Sequence, residues 1–127
     1  MNGSTNAINW FEIPVSDMAR AKHFYQVIFS MHMNENEMMG TKMAYFPFEM
    51  GNGKVSGALV EGGMNQPGQS GPLIYLNANH MMDGVLEKIE PMGGSIIKGK
   101  TQISPEIGFM AIFQDTEGNR IALHSQD

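Results

Sequence analysis

The chain contains no cysteine among its 127 residues, which excludes disulfides, thiolate nucleophiles and cysteine-based zinc sites together. Positive charge is also scarce: 8 Lys and Arg stand against 13 Asp and Glu, for a formal net charge of -5. No Lys/Arg run occurs anywhere, so the clustered positive surface that nucleic acid requires is missing, and no nucleic-acid partner is expected. No apolar run approaches the length of a membrane span. The opening residues, Met1 to Asn6, carry neither a basic stretch nor an apolar core of a secretory signal. The expectation is therefore a cytoplasmic location and no membrane partner. A nucleophile elbow, a phosphate-cradling glycine loop and a His-x-x-x-His zinc motif are all lacking.

Hydrophobic residues make up 42% of the chain, enough to fill a core. Methionine is over-used, with 13 copies, including the pairs Met38-Met39 and Met81-Met82. Two readings stand open: Met replacing Leu in the interior, or an adaptable Met-lined pocket.

Periodicity divides the chain into two similar halves. Ile8 to Val15 alternates as a half-buried strand, with Trp10 and Glu12 on one face and Phe11 and Ile13 on the other. Ser16 and Asp17 offer capping oxygens to a helix whose stripe is Met18, Ala21, Phe24, Tyr25 and Ile28. Beyond Ser30 a short strand and loop pass through Asn34 to Glu37. Met43–Phe48 and Val55–Val60 then read as strands joined by a Gly51-Asn52-Gly53 turn. Residues 62–71, rich in Gly, Gln and Pro, suit a linker. The order then repeats. Leu73–Ala78 reads as a strand, Asn79 as an N-cap, and Met82, Val85, Leu86, Ile89 and Met92 as a helical stripe stopped by Gly93-Gly94. Ser95–Lys98 follows as a short strand and residues 99–108 as a loop. A hairpin from Phe109 to His124 turns at Glu117-Gly118-Asn119. Tight turns between consecutive strands make antiparallel neighbours, so the predicted class is α+β rather than a doubly wound sheet. Module one spans about 6–61 and module two about 72–126 of a single domain, with two βαβββ units curving into a partly open mixed β-barrel around a cavity.

Several segments carry a family resemblance. Val15-x-Asp17-x-x-Arg20-Ala21-x-x-Phe24-Tyr25 resembles the opening strand and helix of the glyoxalase/bleomycin-resistance/extradiol-dioxygenase proteins, the vicinal oxygen chelate superfamily. Gly71–Ala78, Leu86–Ile89 and Gly93-Gly94 resemble its second module, and Asp115-x-Glu117-Gly118-Asn119-x-Ile121-x-Leu123 its closing signature. The resemblance covers almost the whole chain and is nearest to small bacterial proteins described as enzymes related to lactoylglutathione lyase. It implies a small-molecule ligand, a homodimer and, in metal-dependent relatives, four His, Gln or Glu ligands on the first and last strands of each module. Those positions here hold Trp10, Leu73, Ala122 and a residue near Gly57 or Leu59. None offers a suitable lone pair. No cofactor is therefore expected, and no metal ligand is assigned. The alternative is a divalent metal held by displaced groups, Glu12, His124 and Glu61, in a lyase, isomerase or dioxygenase.

Strand parity turns Trp10, Glu12, Leu73, Tyr75, Asn77, Ala122 and His124 away from the helices and toward the concavity. Trp10, Leu73, Tyr75, Asn77 and Ala122 are the candidate ligand-binding residues: two aromatic walls, two apolar floor positions and one amide. Glu12 and His124 are the candidate catalytic pair, since a carboxylate beside an imidazole fixes its tautomer and raises its basicity. The same side chains can equally fill the barrel without binding anything.

Overall fold

A computed structural model describes residues 1–38 and 40–127; Met39, half of one methionine pair, lies outside the described residues. The elements are β1 (Trp10–Val15), α1 (Met18–Phe29), β2 (Asn34–Met38), β3 (Thr41–Tyr45), β4 (Ser56–Glu61), β5 (Tyr75–Asn77), α2 (Met82–Ile89), β6 (Ser95–Ser104), β7 (Gly108–Gln114) and β8 (Arg120–Ser125). They form two four-stranded mixed sheets, ordered β1-β4-β3-β2 and β5-β8-β7-β6. Within each, the first strand pairs parallel with the last and the other pairings are antiparallel. The sheets do not close into a barrel.

The α1 stripe Met18, Ala21, Phe24, Tyr25 and Ile28 is buried as its spacing predicts. Asp17 caps the helix by accepting from the Arg20 N–H at 3.1 Å. At the other end Ser30 adopts a left-handed conformation (φ 51°) and its N–H satisfies the last carbonyls. Helix α2 buries Met82, Val85 and Ile89. Its predicted cap differs: the N-cap is Met81, without a side-chain hydrogen bond, while the Asn79 Oδ1 accepts from the Gln126 N–H. Both helices pack against the faces carrying Ile13, Leu59, Leu76, Phe113, Ile121 and Leu123, a continuous core. Methionines lie on both sides of the divide, with Met18, Met33 and Met82 buried and Met38, Met50 and Met64 exposed.

Two further differences have physical causes. Residues 99–104, expected as loop, extend β6 to ten residues. β6 is the edge of its sheet and mostly exposed, so it needs no apolar face, and register shifts interrupt its pairing with β7. The β3–β4 connection runs over residues 46–55, longer than expected from strands at 43–48 and 55–60 joined at Gly51-Asn52-Gly53, because Pro47 cannot donate to a ladder. β4 also approaches β1 very closely at Gly57, where a Cβ would stand 2.3 Å from the Phe11 carbonyl oxygen.

Candidate functional site

Register fixes which side chains share the face opposite the helices. Glu12 lies beside Ala58 of β4, and Ala58 beside Tyr45 of β3. In the second sheet Tyr75 lies beside Ala122 and Ala122 beside Ile112, while Asn77 lies beside His124 and His124 beside Met110. Gly57 and Leu59, where the β4 position is expected, pair with Phe11 and Ile13 on the helix-covered face, so the β4 residues of the open face are Ser56, Ala58 and Val60. Glu61 falls on that covered side too: its Oε1 accepts from the Met18 N–H at 2.7 Å, at the start of α1. It is turned away from Glu12 and His124, which removes it from the displaced metal set.

Trp10 joins Tyr45 and Phe48 in a cluster of three rings, each pair of centroids 6.0 Å apart. The cluster stays open to solvent, with Trp10 39% and Phe48 50% exposed. The Tyr45 hydroxyl donates to the Asn36 Oδ1 at 3.0 Å. Tyr45, Phe48, His32, Asn34 and Met50 border a recess of about 510 Å³. Phe48, Tyr45 and Asn36 were missed from sequence: periodicity places Tyr45 and Phe48 on one strand over 43–48, whereas β3 ends at Tyr45 and the connection after it brings Phe48 to Trp10.

On the second sheet Tyr75, Asn77, Asn79, Ile103, Ile107 and His124 border a recess of about 620 Å³. The His124 Nε2 lies 2.7 Å from the Ile107 carbonyl oxygen. A carbonyl only accepts, so Nε2 donates in this contact, and Nδ1 is left to a ligand. Asn77 Oδ1 accepts from the Asn79 N–H at 2.9 Å, which leaves its NH2 group available to a ligand. Ala122 is fully buried within its sheet, while Leu73 is half-buried just ahead of β5. Tyr75, Asn77 and His124 are thus brought together. Glu12 borders a different cavity, with Arg120 and the linker, and makes no hydrogen bond to His124.

The donors do not suit the metal that the resemblance implies. The positions facing the concavity hold Trp10, Ala58 and Ala122, with Leu73 ahead of β5, and among the described residues no three His, Asp or Glu side chains group around a common point. What this face offers a ligand is aromatic surface, one amide, one imidazole and the Glu12 carboxylate.

Inter-module contacts concentrate on the closing hairpin. Glu117 accepts from the N–H groups of Ser16 (2.8 Å) and Asp17 (2.9 Å) and from both Nε (2.7 Å) and Nη2 (2.9 Å) of Arg20. Burial alone would raise its pKa, but Arg20, the Asp17 N–H, the Thr116 hydroxyl and the Ser16 N–H outweigh that and hold it at about 2. Asp115 accepts from the Tyr25 hydroxyl at 2.8 Å; burial pushes its carboxyl up, against the opposing hydrogen bonds of Asn119 and Tyr25. Asn119 donates to the Pro14 carbonyl at 2.7 Å. Asp115, Glu117 and Asn119 of the closing signature therefore fasten the two halves to each other.

The pattern of the Glyoxalase/Bleomycin resistance protein/Dioxygenase superfamily matches residues 7–123. The chain belongs to that superfamily. Solved members share its architecture at low identity. A glyoxylase/bleomycin resistance protein/dioxygenase domain from Frankia sp. EAN1pec superposes with a TM-score of 0.71 at 16% identity, covering 96% of this chain and 98% of that one. The genomically encoded fosfomycin resistance protein FosX from Listeria monocytogenes gives 0.63 at 20% identity, over 95% and 90%. A glyoxalase I mutant from Zea mays gives 0.67 at 15% identity over 92% of this chain and 45% of its own. No functionally curated protein matches the chain in sequence. At these identities the superfamily likeness speaks for the fold alone.

Proposed function

We propose that this superfamily member binds a small planar organic molecule on the open face of its sheets, without the divalent metal used by metal-dependent relatives. The observation that carries the reading is the exposed Trp10–Tyr45–Phe48 ring cluster on the sheet face opposite the helices. Exposed aromatic rings offer stacking area at low entropic cost. The second recess supplies Tyr75 as a further wall, 51% exposed, with the Asn77 amide and the His124 Nδ1 as orienting groups. Pairing of two chains would bring a second copy of these surfaces over the open face, so a homodimer is part of the proposal. Glu12 and His124 remain the groups to test for acid–base work, each singly, since they border separate cavities.

The competing reading, a metal-dependent lyase, isomerase or dioxygenase, now has only Glu12 and His124 of its displaced donors, since Glu61 is engaged at the start of α1. The test is a thermal-melt panel of aromatic small molecules on untagged protein, with metal analysis alongside. Binders should raise the Tm by several degrees, and Tyr75→Ala should abolish the shift for those seated on the second recess. A stoichiometric metal that is lost on Glu12→Ala or His124→Ala overturns the proposal.

A further inference from the structure

A third cavity, of about 300 Å³, lies between the modules under the linker, bordered by β1, the first residues of β8 and residues 65–72. The linker is fastened over it: the Gly68 N–H donates to the Asn119 Oδ1 at 3.0 Å, and Gln69 bonds to Gln114. Ile13, Pro14, Ile74 and Ile121 contribute apolar lining. Its charged lining is one residue of each sign, Arg120 and Glu12. They form no ion pair with each other, and neither joins another ion pair among the described residues. The Arg120 Nε is buried without a hydrogen-bond partner, and Nη2 makes only a long 3.4 Å contact to the Gly71 carbonyl. A guanidinium that lines a cavity without an ion pair is placed to receive a carboxylate from a ligand.

We infer that this cleft is a second binding site, separate from the aromatic face, for a small amino acid-like zwitterion. Arg120 receives the carboxylate through its guanidinium, Glu12 the ammonium, and the isoleucines and prolines an aliphatic side chain. The volume is at the small end of ligand pockets and suits a molecule of this size. Opposite charges held apart across a cavity, instead of collapsed into a pair, select a ligand that carries both.

The probe is L-leucine, compared with 4-methylpentanoate, which lacks the amine, and isopentylamine, which lacks the carboxylate. Each is titrated into 15N-labelled protein at constant ionic strength, with the Arg120 Nε–H and the Gly68 and Asn119 amides as reporters. Leucine should give saturable shifts at these three sites, with each half-molecule bound at least tenfold more weakly. Arg120→Gln should remove the leucine response. Glu12→Gln, at an exposed position, should abolish the preference for leucine over 4-methylpentanoate even if the arginine variant does not fold. The inference is overturned if leucine gives no saturable shift, if sodium chloride alone reproduces it, or if Glu12→Gln leaves the preference intact. Because the reporters lie away from Trp10, the result is independent of the aromatic face.

Discussion

Glu117 concentrates four backbone and guanidinium donors on one carboxylate whose side chain is fully buried. Glu117→Gln keeps the shape but removes the charge, and should cost about 2 kcal/mol, read as a fall in Tm of roughly 6–10 °C. The pH dependence has a definite sign. The folded pKa of about 2 lies below the ordinary 4.5, so the stabilisation is fully present above the unfolded value. It is lost as pH falls from about 4.5 toward 2, and the variant should therefore show a shallower acid transition than the parent across that window. Charge-assisted contacts of this kind were only partly legible. The sequence marks Arg20 and Glu117 as pattern residues, but they stand 97 positions apart and periodicity carries no information about such pairs.

At the scale of elements, the turn between β7 and β8 ties together three otherwise separate segments through Asn119: its Nδ2 donates to Pro14 of β1 and to Asp115, and its Oδ1 accepts from Gly68 of the linker. Asn119→Ala leaves a β1 carbonyl and a linker N–H without these partners, an expected loss of about 2–3 kcal/mol. Amide exchange at Gly68 should accelerate by more than the global loss of stability explains; equal acceleration of core and linker amides would show that the turn does not fasten the linker. The helices and most strands were legible because one apolar face repeats at 3.6 or 2 residues, as in α1 and β8. The full length of β6 was not legible, because an edge strand such as Lys98 to Gln102 has no apolar stripe to detect. Asn79 misled for a different reason: an Asx side chain near a helix start is also good at turns, and here it holds the chain's end instead.

For the whole molecule, two half-open sheets leave Trp10, Phe48, Tyr75, Ile103 and Ile107 exposed. A chain with this much uncovered apolar surface on the proposed ligand face should pair. Light scattering should return twice the 14.0 kDa chain mass, and a monomer at micromolar concentration would remove the homodimer from the account. Sequence resolved the face of Trp10, Tyr75, Asn77 and His124 because strand parity is local. It did not resolve that Glu12 and His124 border separate cavities, since the relation of one sheet to the other is set by long-range contacts such as Tyr25 to Asp115. The aromatic face is proposed to bind an organic ligand without metal. Fluorescence titration of Trp10, the single tryptophan, measures it directly when an aromatic binder is added before and after exhaustive chelation. Saturable quenching with the same affinity in both preparations is the predicted result; binding that vanishes on chelation and returns with Mn, Ni, Zn or Fe(II) would contradict it.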